Sequence, residues 1–219
     1  MAHSTVHAIL ARHGLSRAPT QRRGEVCRYE WPCPGDLVHV DVKQYPRFRR
    51  PGHAVTGDRR AQKLTRVRPL GHDHFHAMVD DHSRLAYGEL RGDEKAATVT
   101  AFFDRAIAHF ATHGITVRRV MTDGAMSYRR NRSLADLLAE HAIRHIITPP
   151  YTPRWNGKVE RFHQTMEREW AKGVRDKHSS ARNRAPPHWT SYNNERRPHS
   201  ALDGQPPTSR AHNLPRQDN

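Results

Sequence analysis

Three carboxylates stand where side chains from different elements can meet. Asp41 lies in Leu37-Val-His-Val-Asp-Val42, an alternating β-branched run that predicts a strand. Asp123 closes a second such run, Val117-Arg-Arg-Val-Met-Thr-Asp123, just before Gly124. Glu160 falls in the first turn of a helix that follows the proline-rich stretch Pro149-Pro-Tyr-Thr-Pro153. Singly, each has a plain explanation. An Asp at a strand end is ordinarily a turn residue, and a Glu in the first turn suits the positive end of the helix dipole. Two on strands and one on a helix form a more specific pattern, a candidate ligand set. Ionised carboxylates converging on one point repel unless a cation fills it. Hard oxygen donors suit Mg²⁺ or Mn²⁺ and not zinc. Two such ions about 3.5–4 Å apart clamp the attacking and leaving oxygens of an in-line displacement at phosphorus.

The elements that must position these groups are legible in outline. Asn156 and Gly157 offer an N-cap to a helix predicted from Lys158 to about Lys172. Val159, Phe162, Met166 and Trp170 share one face and suit packing onto a core. Lys158, Arg161, Thr165, Arg168 and Lys172 share a second, basic face. Lys158, Arg161, Arg168 and Lys172, with Asn156 beside them, are therefore candidate nucleic-acid contacts, the first three holding phosphates next to the metals. His163, one turn beyond Glu160, suits either a supporting hydrogen bond or a DNA contact. Asp80 and Asp81 compete for a ligand role, but they end a strand where turn and capping work is expected.

Around this centre the pattern predicts strands at His74–Asp80 and Leu85–Leu90, joined by a tight turn through Asp81 to Arg84. A helix over Glu94–His113 ends at Gly114, and a further helix spans about Ser133–His141. Arg144–Thr148 is a short strand. The order is three strands, helix, strand, helix, strand, helix. Residues 3–14 predict a short helix capped by Ser4 and Thr5, and residues 17–28 a basic linker. The stretch from Gln44 to Arg68, with seven Arg, predicts a mobile hairpin or loop. After Lys172 the pattern weakens. Trp189, Tyr192 and Leu202 would form a closing helix and staple, and the chain from Gln205 onward is expected to be mostly disordered.

Composition agrees with the chemistry. Lys plus Arg is 37 against 22 Asp plus Glu, a net charge of +15. That is the footprint of a polyanion binder, whose contacts release counterions from phosphates. No apolar run approaches the roughly 20 residues that span a bilayer, so a membrane is not expected. Cys27 and Cys33, the two cysteines, are badly spaced for zinc and too few for a disulfide framework. The reducing cytoplasm is the expected compartment.

Four segments carry a family resemblance: His39-Val-Asp-Val, Val79-Asp-Asp-His-Ser-Arg-Leu-Ala-Tyr, Asn156-Gly-Lys-Val-Glu-Arg-Phe and Tyr192-Asn-Asn-Glu-Arg-Arg-Pro-His-Ser-Ala-Leu. With the 37 positions from Asp123 to Glu160, the sequence resembles DDE transposases of the retroviral-integrase catalytic-core superfamily, especially the bacterial insertion sequence 481 group. The resemblance implies a ribonuclease-H-like α/β fold, a mixed five-stranded sheet with helices on both faces. Its first and fourth strands are neighbours, which would bring Asp41 beside Asp123 within reach of Glu160. It implies that Asp41, Asp123 and Glu160 are catalytic and bind Mg²⁺ or Mn²⁺, two ions in all. The reaction would be DNA cleavage at an element end and transfer of the 3′ end to target duplex, by a homo-oligomer assembled on DNA at a bacterial nucleoid. The expected division is residues 1–34 as a remnant helix-turn-helix helix with basic linker, 35–175 as catalytic core, and 176–219 as closing helix and tail. The missing earlier helices imply an N-terminally truncated element. One residue departs from the pattern: relatives carry Asn after the second Asp, and Gly124 stands here. That leaves two alternatives, a decayed DNA-binding remnant and a same-fold nuclease that only hydrolyses.

Overall fold

Alternation along the strands decides which side chains face which helix layer. The computed structural model describes residues 2–16, 29–50, 70–149, 153–171 and 176–211. β1 (Val38–Pro46), β2 (His72–Asp80) and β3 (Ala86–Arg91) form an antiparallel meander. β4 (Arg119–Thr122) lies parallel beside β1, and β5 (Arg144–Ile147) parallel beyond it, giving the order β3-β2-β1-β4-β5. β1 runs past Gln44, into the stretch where the sequence predicted a hairpin or loop, because residues 42–46 pair with residues 72–76 of β2.

One face of the sheet packs Val38, Val40 and Met78 against α2 (Ala96–Thr112), whose Val99, Phe102, Phe103, Ala106 and Phe110 are buried. Behind β4 come a short α3 (Met126–Arg129) and α4 (Arg132–Glu140), whose Leu134 and Leu138 join the same core. Asn131 caps α4 by accepting from the Leu134 amide. On the opposite face Tyr45, Phe75, Ala77 and Val79 meet α5 (Gly157–Met166) through Val159, Phe162 and Met166. A π-helical turn, Glu167–Ala171, extends α5 and buries Trp170. The predicted apolar stripe of this helix is therefore the one that packs. Gly88 of β3 lies under Phe75, where a Cβ would stand 2.3 Å from the ring. Here the missing side chain is what lets the tip of the ring reach the edge strand.

The C-terminal segment is more ordered than its polar sequence suggested. α6 (Ser179–Arg182) and α7 (Pro186–Glu195) follow, and α7 opens on two prolines, which are well suited to a helix's first turn. Trp189 packs edge-on to Phe162, with ring centres 5.3 Å apart, and Leu202 is buried, whereas Tyr192 remains exposed. Asn194 accepts from the Ala86 amide and donates to the Ala86 carbonyl, closing the free edge of β3. Residues 205–211 were expected to be disordered. They instead include a 3₁₀ turn, Pro207–Arg210, tied by Thr208 to the Asn194 carbonyl and by Arg210 to Glu30. At the other end, α1 (His3–Arg12) starts from Ala2 with no side-chain cap, so the predicted Ser4 and Thr5 caps are not formed. The predicted linker 17–28 and most of the basic loop at 44–68 lie outside the described residues. Among the described residues no helix is long and apolar enough to cross a membrane.

Candidate active site

Residues 39, 41, 43 and 45 of β1 alternate away from the Val38 and Val40 core and so share the α5 face. That puts Asp41 beneath the helix carrying Glu160. The parallel pairing of β1 with β4 joins Val38 to Val120 and His39 to Met121. Carried two residues further, the same register sets Asp123 opposite Asp41. The three predicted carboxylates thus come from the middle of β1, the residue that follows β4 and the helix across them.

Their electrostatics agree. The Asp41 carboxyl is raised to about 6, chiefly by burial, and the negative charges of Asp123 and Glu160 push it further up. The Tyr128 phenol is likewise pushed up, first by burial and then by the charges of Asp123, Asp41 and Glu94. Asp123 also accepts a hydrogen bond from the Ala125 amide at 2.9 Å, which fixes the turn after β4. Asp123 and Glu160 are exposed. Among the described residues no three His, Cys, Asp or Glu side chains stand together as a group that could hold a metal ion as they are placed here. What the site offers is an open set of hard oxygen donors under mutual repulsion, the condition a divalent cation relieves.

Two contacts seat α5 over β1. Asn156 was expected as an N-cap and DNA contact, but it makes no capping hydrogen bond and is only 7% exposed. Its amide donates instead to the Val40 carbonyl, next to Asp41. His163, 3% exposed, is likewise no surface contact. Its Nε2 lies 3.5 Å from Asp41 Oδ2. Burial pushes the imidazole down to about 3, so the ring is neutral and the contact is no salt bridge.

Asp81, the expected turn residue, is a buried hub. Its Oδ1 meets His39 Nε2 at 2.7 Å and the Lys158 ammonium, while its Oδ2 accepts from the Trp31 amide. These partners hold its carboxyl down at about 2 in spite of burial. Lys158 also donates to the Tyr29 and Asp81 carbonyls, so all three of its N–H donors are engaged. It holds protein, not phosphate, contrary to expectation. Asp80 accepts from the Gly35 amide and from the Ser83 amide and hydroxyl. Neither aspartate has the freedom of a metal ligand.

The basic face of α5 splits from the carboxylates. Arg161 and Arg168 are exposed and line a groove with Thr165 and Lys158, and none of Asp41, Asp123 or Glu160 borders it. Lys172 lies outside the described residues. Sequence reasoning missed the roles of Asp81 and His39, and for His163 it left a supporting contact and a DNA contact both open. The available signal was positional, since His39 and Lys158 each stand two residues before one of the carboxylates, and His163 three after Glu160.

Two models described as integrase core domain match the chain, one over residues 32–153 and another over residues 141–207. The provisionally named integrase ORF3 of Spiroplasma virus SpV1-C74 is 30% identical over 99 residues, 40% of this chain and 27% of that protein. The Gag-Pro-Pol polyprotein of mouse mammary tumor virus (strain BR6) is 30% identical over 94 residues, 43% of this chain and 5% of the polyprotein. The chain thus matches only a minor part of each relative. Among solved structures, the simian T-cell lymphotropic virus intasome with PP2A regulatory subunit B56 gamma has a TM-score of 0.63 at 18% identity, covering 99% of this chain and 75% of that one. The HTLV-2 integrase catalytic core domain in complex with magnesium has a TM-score of 0.57 at 14% identity, covering 83% and 99%. At these identities the likeness establishes the fold, that of an integrase catalytic core, ribonuclease-H-like.

Proposed function

The chain belongs to the integrase core domain family, and from that premise we propose that it is a transposase of the insertion sequence 481 type. Its reaction would be metal-dependent cleavage of DNA at an element end, followed by transfer of the 3′-hydroxyl to target duplex. The observation that carries this reading is the Asp41 carboxyl, raised to about 6 first by burial and then by the charges of Asp123 and Glu160, which reach it from β4 and α5. Their oxygens suit Mg²⁺ or Mn²⁺, and these three residues would hold the ions. Bound there, divalent ions supply the Lewis acidity for in-line displacement at phosphorus. The protein's own contribution is to hold the ligands. Asn156 fixes the start of α5 against β1, and neutral His163 sits against Asp41 without adding positive charge that would compete with a cation. No nucleophilic side chain is needed. Assembly of several copies on DNA accords with the fold shared with an intasome.

A second reading, a DNA-binding remnant without catalysis, is favoured by Gly124, where the resembling transposases carry Asn. A Cβ there would meet nothing closer than the Arg129 side chain at 4.0 Å, so packing does not require the glycine. One assay decides. The chain and its Asp41→Asn, Asp123→Asn and Glu160→Gln variants are offered a pre-cut duplex end and target with Mg²⁺ or Mn²⁺. Wild type should nick and join, and each variant should lose more than about 100-fold, at least the scale on which altered metal surroundings act. Cutting without joining would point to a nuclease. Normal binding with neither step would point to the remnant. Variants as active as wild type would mean that other carboxylates are involved.

A further inference from the structure

The groove beside α5 has a composition the carboxylate site does not explain. It encloses about 550 Å³ between α5, the β2–β3 turn and the segment after α7. Arg161 and Arg168 come from the helix side, Arg84 from the turn, and Arg197 and His199 from the C-terminal segment. Two of these charges are answered within the protein, Arg84 by Glu30 and Arg197 by Glu169. Arg161 and Arg168 have no carboxylate partner among the described residues. Arg84 Nη1 and His199 Nε2 are buried with no hydrogen-bond partner among the described residues, two nitrogens on the groove wall without an acceptor. His199 is held below its ordinary range by burial and by Arg197, so its ring is neutral and the positive charge comes from the arginines.

The spacing argues for a polymer over a small anion. Arg161 and Arg168 are seven residues apart, about two turns or 10 Å along the helix. A nucleic-acid strand carries one charge per roughly 3.4 Å of axis, so this row faces about three successive phosphates. A single phosphate would fill one end and leave the other arginine in water. We propose that this groove grips a phosphodiester backbone apart from Asp41, Asp123 and Glu160, so that one stretch of nucleic acid is held on the flank of α5 while another lies at the carboxylates. The proposal extends the DNA-joining reading, but its groove does not depend on catalysis.

The test therefore uses the whole chain in EDTA, with a fluorescent 20-base-pair duplex titrated between about 50 and 200 mM salt. Arg161→Gln with Arg168→Gln is compared with a control double, Arg132→Gln with Arg144→Gln. The control alters two exposed arginines on α4 and β5, toward the other edge of the sheet, by the same net charge. The slope of log affinity against log salt should become shallower by about 1.8 in the groove double, since each phosphate contact contributes about 0.9. It should change by less than about 0.5 in the control. EDTA removes the divalent ions that cutting needs, so a chain that never cuts DNA still reports on the groove. Equal slopes in wild type and the groove double would overturn the proposal. So would equal losses in both doubles, which would mean that net charge alone acts. Competition by inorganic phosphate with an unchanged duplex slope would make the groove a small-anion site and also overturn it.

Discussion

At the scale of single residues, Asp41 carries the strongest signature. Its carboxyl is raised from 3.8 to about 6 by burial first and then by Asp123 and Glu160. In the unfolded chain it ionises near its ordinary value, while the folded protein keeps the proton longer. Asp41 therefore stabilises the fold below about pH 4, and that contribution is lost as pH rises through 6. The loss at neutral pH is on the order of 1–3 kcal/mol for a side chain that is mostly buried. Asp41→Asn should remove this dependence. Urea unfolding from pH 4 to 7 without metal should show the wild type losing stability relative to the variant. A constant difference across that range would mean that Asp41 is not under such pressure. Lys158 illustrates the opposite case, a cation drawn inward and fully engaged by Asp81 and two carbonyls.

Between elements, the Asp81 hub joins the β2–β3 turn to β1 through His39 and to α5 through Lys158. Those two partners flank the carboxylates in sequence, so the hub sets the register of helix against strand. Asp81→Asn keeps the shape and removes the charge. It should cost roughly 2–4 kcal/mol, toward the lower part of the range for breaking buried pairs because Lys158 retains some water contact. The measure is the urea midpoint at neutral pH with an unchanged m-value. A shift of less than about 0.5 kcal/mol would reduce the hub to an ordinary turn. This hub was not legible in the sequence, because Asp-Asp after a strand is what a turn also looks like. The apolar stripe of α5 was legible, since period 3.6 fixes one face. Its full buried width was not. The helix lies between the sheet and the C-terminal segment, so Thr165 and His163 are buried as well as Val159, Phe162 and Met166. Asn156 likewise read as a cap because capping is the commonest local use of Asn, and only the tertiary contact reveals Val40 as its partner.

In the molecule as a whole, strand periodicity and the strand–helix order conveyed the sheet and its two helix layers. The closing segment was obscured because Pro186 and Pro187 look like breakers until they are placed in a helix's first turn, and because Thr208 and Arg210 secure the 205–211 stretch through single long-range contacts. The three carboxylates were named by residue type and spacing, and the charges of Asp123 and Glu160 reach Asp41. The most direct measurement is thermal unfolding of wild type and of Asp41→Asn, Asp123→Asn and Glu160→Gln, with and without millimolar Mn²⁺. A ligand at about 100 times its dissociation constant adds about 2.7 kcal/mol, several degrees for a chain of this size. Wild type should gain that shift and each variant should lose most of it, while metal-free Asp41→Asn melts at or above wild type. A wild type indifferent to Mn²⁺, or variants that shift as far as it does, would contradict the assignment of Asp41, Asp123 and Glu160 as one metal-binding site.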